Sequence, residues 1–234
     1  IPHFEKMLYD NAQFVLLLSK FNKIKKSNYI NKKITQTLEF LDINFKTNSG
    51  LFGSAYDADS EGIEGKYYTF SYNELKNIKD IEKYYEIDPK GNWEGKIILK
   101  EKKLAPENIT EELKSIRSKR KKPFFDNKTQ LDLNCILISA FVKAHEILPQ
   151  NQYLKSAQNI YKAIENKFEN FQIYHSNSKN ISFLEDYAYL INASLDLADA
   201  SLEMKYRLSA NQLMEDAIKK FYIKEKNIFQ KNQI

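Results

Sequence analysis

Cys135 is the only cysteine in 234 residues. An internal disulfide is therefore excluded, and without a CxxC pair the segment carries no thioredoxin-type redox centre of its own. Tryptophan is as scarce, with Trp93 alone, and only three of the 36 basic residues are arginine. That lysine excess, beside abundant Asn and Ile, reads as AT-rich codon usage. The net charge of +5 and a pI near 8.9 raise the question of nucleic acid. The one dense basic run, Lys114 to Lys122, falls at a predicted helix end with no interleaved aromatics. It reads as a solvated face, and no nucleic-acid partner is expected. Apolar runs stay well short of a membrane span and no basic-then-apolar leader is present, so no membrane partner is expected and the cytoplasm is the default location. The chain starts at Ile1 without an initiator methionine. Its length suits one domain or part of one, spanning 1–234.

Hydrophobic periodicity predicts a mainly α fold. Residues 3 to 20, 130 to 148 and 183 to 202 are apolar nearly all round, as in Leu131, Leu133, Ile136, Leu137, Ile138, Phe141 and Val142, which marks helices buried on most sides. Each is followed by a helix with a single apolar stripe: Ile30, Ile34, Leu38, Leu41 and Phe45; Tyr153, Ala157, Ile160, Ile164 and Phe168; Tyr206, Ala210, Leu213, Ala217 and Phe221. Three buried-then-amphipathic hairpins read as part of an (α/α)6 toroid, inner helices wrapped by outer ones; a plain bundle is the other arrangement. Half a ring should leave an apolar flank uncovered.

All six glycines lie between Gly50 and Gly95, so the stretch from about 50 to 125 interrupts the helices as an elaborated loop insertion. Tyr67 to Phe70 and Ile97 to Leu99 read as short strands, Ser71-Tyr72-Asn73-Glu74 as a capping box, and residues 107 to 121 as a polar helix. Elaborated loops on a rigid scaffold are where binding and catalysis tend to sit.

Polar residues cluster in a few places. The opening Pro2-His3-Phe4-Glu5 reads as the first turn of a helix, where His3 is biased neutral and Glu5 is held as an anion; plain capping is the structural alternative. Asp57 and Asp59, two apart on extended backbone, have the spacing of a carboxylate pair for acid/base work or metal binding, or else shape the glycine-rich turn by accepting backbone N–H bonds. Asp57 to Gly62 imitates half a calcium loop, but Tyr68 stands where the bidentate Glu belongs. Ser182-Phe183-Leu184-Glu185 fits a capping box, leaving Asp186 as the better functional candidate. Trp93 could stack on a sugar or pack, and Tyr9, Tyr56 and Tyr187 could supply hydroxyls to a cleft. His145 reads as a helix-end or core residue. His175 follows a short strand over Phe171 to Tyr174, and neither histidine joins a recognisable metal triad.

Five stretches resemble one family in order. PHFEKMLYD from Pro2 to Asp10, the run from Ser54 to Tyr68, Gly91-Asn92-Trp93-Glu94-Gly95-Lys96, Arg117 to Lys128, and Leu184-Glu185-Asp186-Tyr187-Ala188 are similar to motifs of the thioredoxin-domain-containing, spermatogenesis-associated protein 20-like (YyaL-like) family. The resemblance implies that a thioredoxin-like domain precedes this region, as a partner, and that further barrel sequence follows it. It also implies a carbohydrate-type pocket at the helix-start face of an α/α toroid. His3, Glu5, Asp57, Asp59 and Asp186 are its candidate acids and bases. Tyr56, Glu61, Glu64, Trp93, Lys128, Glu185 and Tyr187 are candidate substrate contacts, and no metal or cofactor is expected. Where the family reads DDKxLTxWNGL, this chain has Asp126-Asn127-Lys128 and then Leu133 and Cys135, losing a carboxylate and an aromatic wall. The expected function is a carbohydrate- or polyol-recognising toroid segment working by hydrolysis or epimerisation. A non-catalytic binding or scaffold module that positions the thioredoxin-like domain is the alternative.

Overall fold

The computed structural model describes residues 3–148, 151–167 and 172–233. Pro2, Phe168 and Phe171, used in the reading above, lie outside them. The helices are α1 Leu8–Ile24, α2 Asn28–Asn44, α3 Tyr72–Leu75, α4 Glu107–Ser118, α5 Leu131–Ile147, α6 Asn151–Glu165, α7 Leu184–Ser201 and α8 Met204–Phe221. The chain divides into two compact units, one of residues 1–6 and 56–125 and a larger one of residues 7–55 and 126–234.

The larger unit is built from three helical hairpins. Helix α5 packs between α1 and α7, and each of these three inner helices is backed by the outer helix that follows it: α2, α6 and α8. The burial pattern explains why. Along α5, Cys135 to Ile138 and Ala140 to Val142 are buried without a break, as a helix flanked on several sides requires. The outer helices bury one stripe each, Ile34, Leu38 and Leu41 in α2 and Tyr206, Ala210, Leu213, Ala217 and Phe221 in α8. Each fully buried Leu or Ile contributes about 1.5–3 kcal/mol relative to exposure. Helix α1 departs from the expected all-round burial: Phe14, Leu17, Phe21 and Ile24 form an exposed apolar stripe at helical spacing. No helix among the described residues is long and apolar enough to cross a membrane.

The inner helices run in the same direction. At their starts, the Leu8 N–H donates to Ser54 O at 2.9 Å and the Leu131 N–H donates to His175 O at 2.8 Å. At their far ends, Lys23 pairs with Glu146, and Lys143 pairs with Asp196 at 2.9 Å. The first turns therefore share one end of this unit.

The first helix starts later than its sequence suggests. Helix α1 begins at Leu8 behind the extended Met7, so His3 and Glu5 are not on an opening helical turn. The cause is Phe4, 5% exposed, which stacks at 6.2 Å on Tyr68 and meets Trp93 edge-on at 4.9 Å. That anchorage holds the preceding residues within the smaller unit, and the helical spacing of Phe4 with Met7 and Leu8 is coincidental.

The smaller unit has its own core, in which Phe70, Leu75, Ile78, Ile81, Tyr85 and Ile97 pack with Ile109 and Leu113 of α4. The Ser71–Glu74 capping box forms as read, starting α3. The two expected strands reduce to one antiparallel bridge between Phe70 and Ile97, because Phe70 stands between a turn over 65–68 and the start of α3, and the tight Trp93–Lys96 turn ends just before Ile97. Asp59–Ser60 pairs with Ile63–Glu64 across a two-residue loop. Glu61 and Gly62 in that loop both have positive φ, 55° and 73°, the requirement of the primed turn that matches strand twist.

Candidate functional site

In the larger unit, four polar side chains from separate segments form a chain of hydrogen bonds along the helix starts. Ser54, whose N–H donates to Asp126 O at 2.9 Å, places its Oγ 2.6 Å from Lys128 O and 3.0 Å from Gln130 Oε1. Gln130 Nε2 lies 3.0 Å from His175 Nε2, and His175 Nδ1 lies 2.9 and 3.1 Å from the two oxygens of Asp186. Asp186 is fully buried, and its Oδ2 also accepts the Phe183 N–H at 2.8 Å.

This corrects the reading of the third inner helix. Its cap is the extended Phe183, and the acid that reaches back to the cap N–H is Asp186, not Glu185. Glu185 is exposed and lies 3.6 Å from Lys231. The one-residue shift turns Asp186 inward, so a single carboxylate both starts α7 and orients an imidazole. An Nδ1–H directed at Asp186 leaves Nε2 facing the Gln130 amide, which can donate to it or, turned over, accept from it.

Asp132, on the first turn of α5, completes the group. One ligand atom each from Asp132, His175 and Asp186 falls within 4.8 Å of the others, an arrangement that could hold a metal ion. Histidine 175 thus joins a triad that its sequence context concealed, since it sits in an irregular segment with only isolated bridges, Tyr174 to Ile181 and Ser176 to Gln130. The one available hint was the polar run from His175 to Asn180 just before an inner helix. Burial, and then the Asp186 charge, push the Asp132 carboxyl above the ordinary aspartate range, against the Leu133 N–H and His175. Cys135 lies deeper; burial, reinforced by Asp186 and Asp132, raises its thiol well above the usual range and keeps it unreactive.

A cavity of about 300 Å³ opens in this unit against His175, with Leu51, Leu131 and Ile164 as an apolar floor and Thr129, Tyr174 and Asn177 among its polar walls. That volume falls at the lower end of small-molecule sites, roughly 300–1,000 Å³. Lys128 is exposed, with its N–H on Asp126 Oδ1 at 3.0 Å. Tyr187 is fully buried against Phe221, and its hydroxyl accepts from Lys220 at 2.7 Å. That hydroxyl serves the core.

The remaining candidates lie in the smaller unit. His3 is exposed and its Nδ1 accepts the Glu5 N–H at 3.1 Å. Asp57 and Asp59 are exposed, Asp59 standing opposite Glu64 in the hairpin. Glu61 pairs with Lys66 at 2.7 Å, a bond that holds its carboxyl below the usual range. Tyr56 stacks on Phe125 at 4.6 Å. Glu64 and Trp93 come together in a cleft of about 480 Å³ that also presents Lys66, Lys96 and Arg120. Beside it, burial and then the Arg117 charge lower Lys6 to about 8, although its Nζ donates to Phe4 O at 2.6 Å and lies 4.2 Å over the Tyr68 ring.

No protein-family model matches the chain. Among curated proteins, human spermatogenesis-associated protein 20 is 24% identical, covering 95% of this chain and 36% of its own length. The rat protein is 25% identical with the same coverage. An uncharacterised Caenorhabditis elegans protein is 25% identical, covering 95% of this chain and 39% of its own length. The chain thus spans little more than a third of the relatives it matches. Among solved structures, cellobiose 2-epimerase from Spirochaeta thermophila aligns with a TM-score of 0.60 at 11% identity, over 99% of this chain and 50% of that one. The cellobiose 2-epimerase of Bacillus thermoamylovorans gives 0.60 at 10% over 97% and 48%. The endo-beta-1,4-glucanase CMCax of Acetobacter xylinum gives 0.50 at 12% over 94% and 51%. At such identities the likeness speaks for fold alone. The chain is similar along nearly its whole length to spermatogenesis-associated protein 20, as its motifs indicated, and its fold is a partial α/α toroid with a small β-containing insertion.

Proposed function

We propose that the larger unit recognises a carbohydrate or similar polyol at the helix-start end of its inner helices and moves a proton there, in hydrolysis or epimerisation. The observation that carries this reading is the imidazole of His175, fixed by the fully buried Asp186, on the wall of a cavity of about 300 Å³. Asp186 orients the ring and would stabilise its protonated form, so the imidazole is the group that takes and gives the proton, with the Asp132 carboxyl close to both. A sugar hydroxyl both donates and accepts. It can therefore take the place of the Gln130 amide at Nε2 without leaving a buried nitrogen unsatisfied. The exposed His3, Asp57 and Asp59 and the half-buried Glu5 are retained as further candidate acids and bases, and Glu64 with Trp93 as a carboxylate and stacking face for a sugar.

One observation favours a non-catalytic module, such as one that positions a thioredoxin-like domain: both ring nitrogens of His175 already have protein partners. Calorimetric titration of wild type and His175→Gln with neutral and anionic mono- and disaccharides, with and without divalent metals, separates the readings. Saturable sugar binding that His175→Gln weakens at least about tenfold is expected, the loss of one hydrogen bond to a polarised partner. Absence of binding to every saccharide, or equal binding by both proteins, would count against the carbohydrate reading.

A further inference from the structure

We infer that the cavity beside His175 takes an anionic carbohydrate, one bearing a phosphate or a carboxylate group, and that Lys167 holds the anion. This rests on the carbohydrate reading above and narrows its substrate class.

The charge of the lining carries the argument. Lys167 and Lys179 both line the cavity, and among the described residues no aspartate or glutamate lines it. Asp186 is fully buried behind the imidazole, so its charge is spent on His175 and the start of α7. Lys167 follows the end of α6, and its Nζ donates to Thr129 Oγ1 at 3.2 Å, a neutral hydroxyl. Among the described residues it forms no salt bridge. Burial alone lowers its pKa, so the ammonium sits where desolvation is not offset by a carboxylate. An anion delivered by a ligand would supply that offset, through a charge-assisted hydrogen bond of the stronger kind.

The rest of the wall suits a sugar ring bearing that anion. Leu51, Leu131 and Ile164 offer the apolar surface that the C–H face of a ring requires, and Tyr174 an aromatic edge. Thr129, Ser176 and Asn177 offer hydroxyl and amide groups for ring hydroxyls. A neutral sugar would leave the partly desolvated ammonium without a counter-charge, whereas an anionic one would supply it, so the site favours ligands by charge as well as by stereochemistry.

The test is calorimetric titration of the full chain with glucose, glucose 6-phosphate, glucuronate and inorganic phosphate, at low and high salt, for wild type, Lys167→Met and Lys167→Gln. The glutamine keeps a donor for Thr129, so it reports on charge even where the methionine fails to fold. Expected is binding of the phosphorylated sugar or the uronate at least about tenfold tighter than glucose. That advantage should shrink with salt and vanish in Lys167→Gln with little change in melting temperature. The two anionic sugars tell phosphate from carboxylate. Glucose binding as tightly as both anionic sugars would overturn the inference and leave the carbohydrate reading standing. Inorganic phosphate binding as tightly as the sugar phosphate would overturn it by removing the sugar from recognition. Absence of binding to all four would overturn both.

Discussion

Asp186 carries two structural duties on one carboxylate, accepting the Phe183 N–H at 2.8 Å and facing His175 Nδ1 at 2.9 Å. Asp186→Ala strips a partner from each, and a buried donor left unsatisfied costs about 1–3 kcal/mol. Asp186→Asn keeps an acceptor for one of them. Urea denaturation should therefore rank wild type above Asp186→Asn above Asp186→Ala, and equal stability for all three would deny the carboxylate its orienting role. Lys6 makes a prediction in pH. Its folded value of about 8 lies below the ordinary 10.5, so across that window the folded state binds fewer protons than the unfolded state. Its contribution to stability therefore rises with pH between those values. Lys6→Met removes it. Measured by denaturation at about pH 7.5 and about pH 10, the stability difference between wild type and variant should shift toward wild type at the higher pH. A difference that stays constant would mean that the carbonyl contacts and the Tyr68 ring hold the ammonium against burial.

At the scale of elements, what could be read from the residues followed periodicity. The α5–α6 and α7–α8 hairpins lie where the spacing places them, within a residue or two at their inner-helix starts, because a helix packed on several sides must be apolar on several sides. Helix α1 was misplaced at its start because Phe4 obeys the same spacing for a different reason, its seat against Trp93 and Tyr68. The candidate site was legible only through Asp186. Gln130 and His175 act through irregular segments that have no period, and their meeting depends on contacts across 45 residues of sequence. The seat of Phe4 is itself testable. A Cβ on Gly65 would stand 2.7 Å from the Phe4 ring, whereas one on Gly62, at a similar positive φ, would meet nothing within 4 Å. Both alanine substitutions carry the backbone strain of about 1–2 kcal/mol. Gly65→Ala should cost measurably more than Gly62→Ala in chemical denaturation, and equal costs would show that Phe4 yields freely.

For the whole molecule, three helical hairpins supply a scaffold whose helix starts gather polar groups at one end of the larger unit. Fold likeness to sugar epimerases and a glucanase does not decide the chemistry; His175 on the wall of a cavity, with Asp186 and Asp132 grouped around its ring, is what supports a proton-transfer site. The most direct test is proton NMR of neutral, phosphorylated and carboxylated saccharides incubated with the protein in deuterated water. It reads epimerisation as exchange of a carbon-bound proton and hydrolysis as a new reducing end. The account predicts turnover of at least one saccharide by wild type and a loss of about 10²-fold or more in His175→Gln, the usual weight of a general acid or base. Turnover unchanged in His175→Gln, or unaltered spectra for every saccharide with wild type, would contradict it.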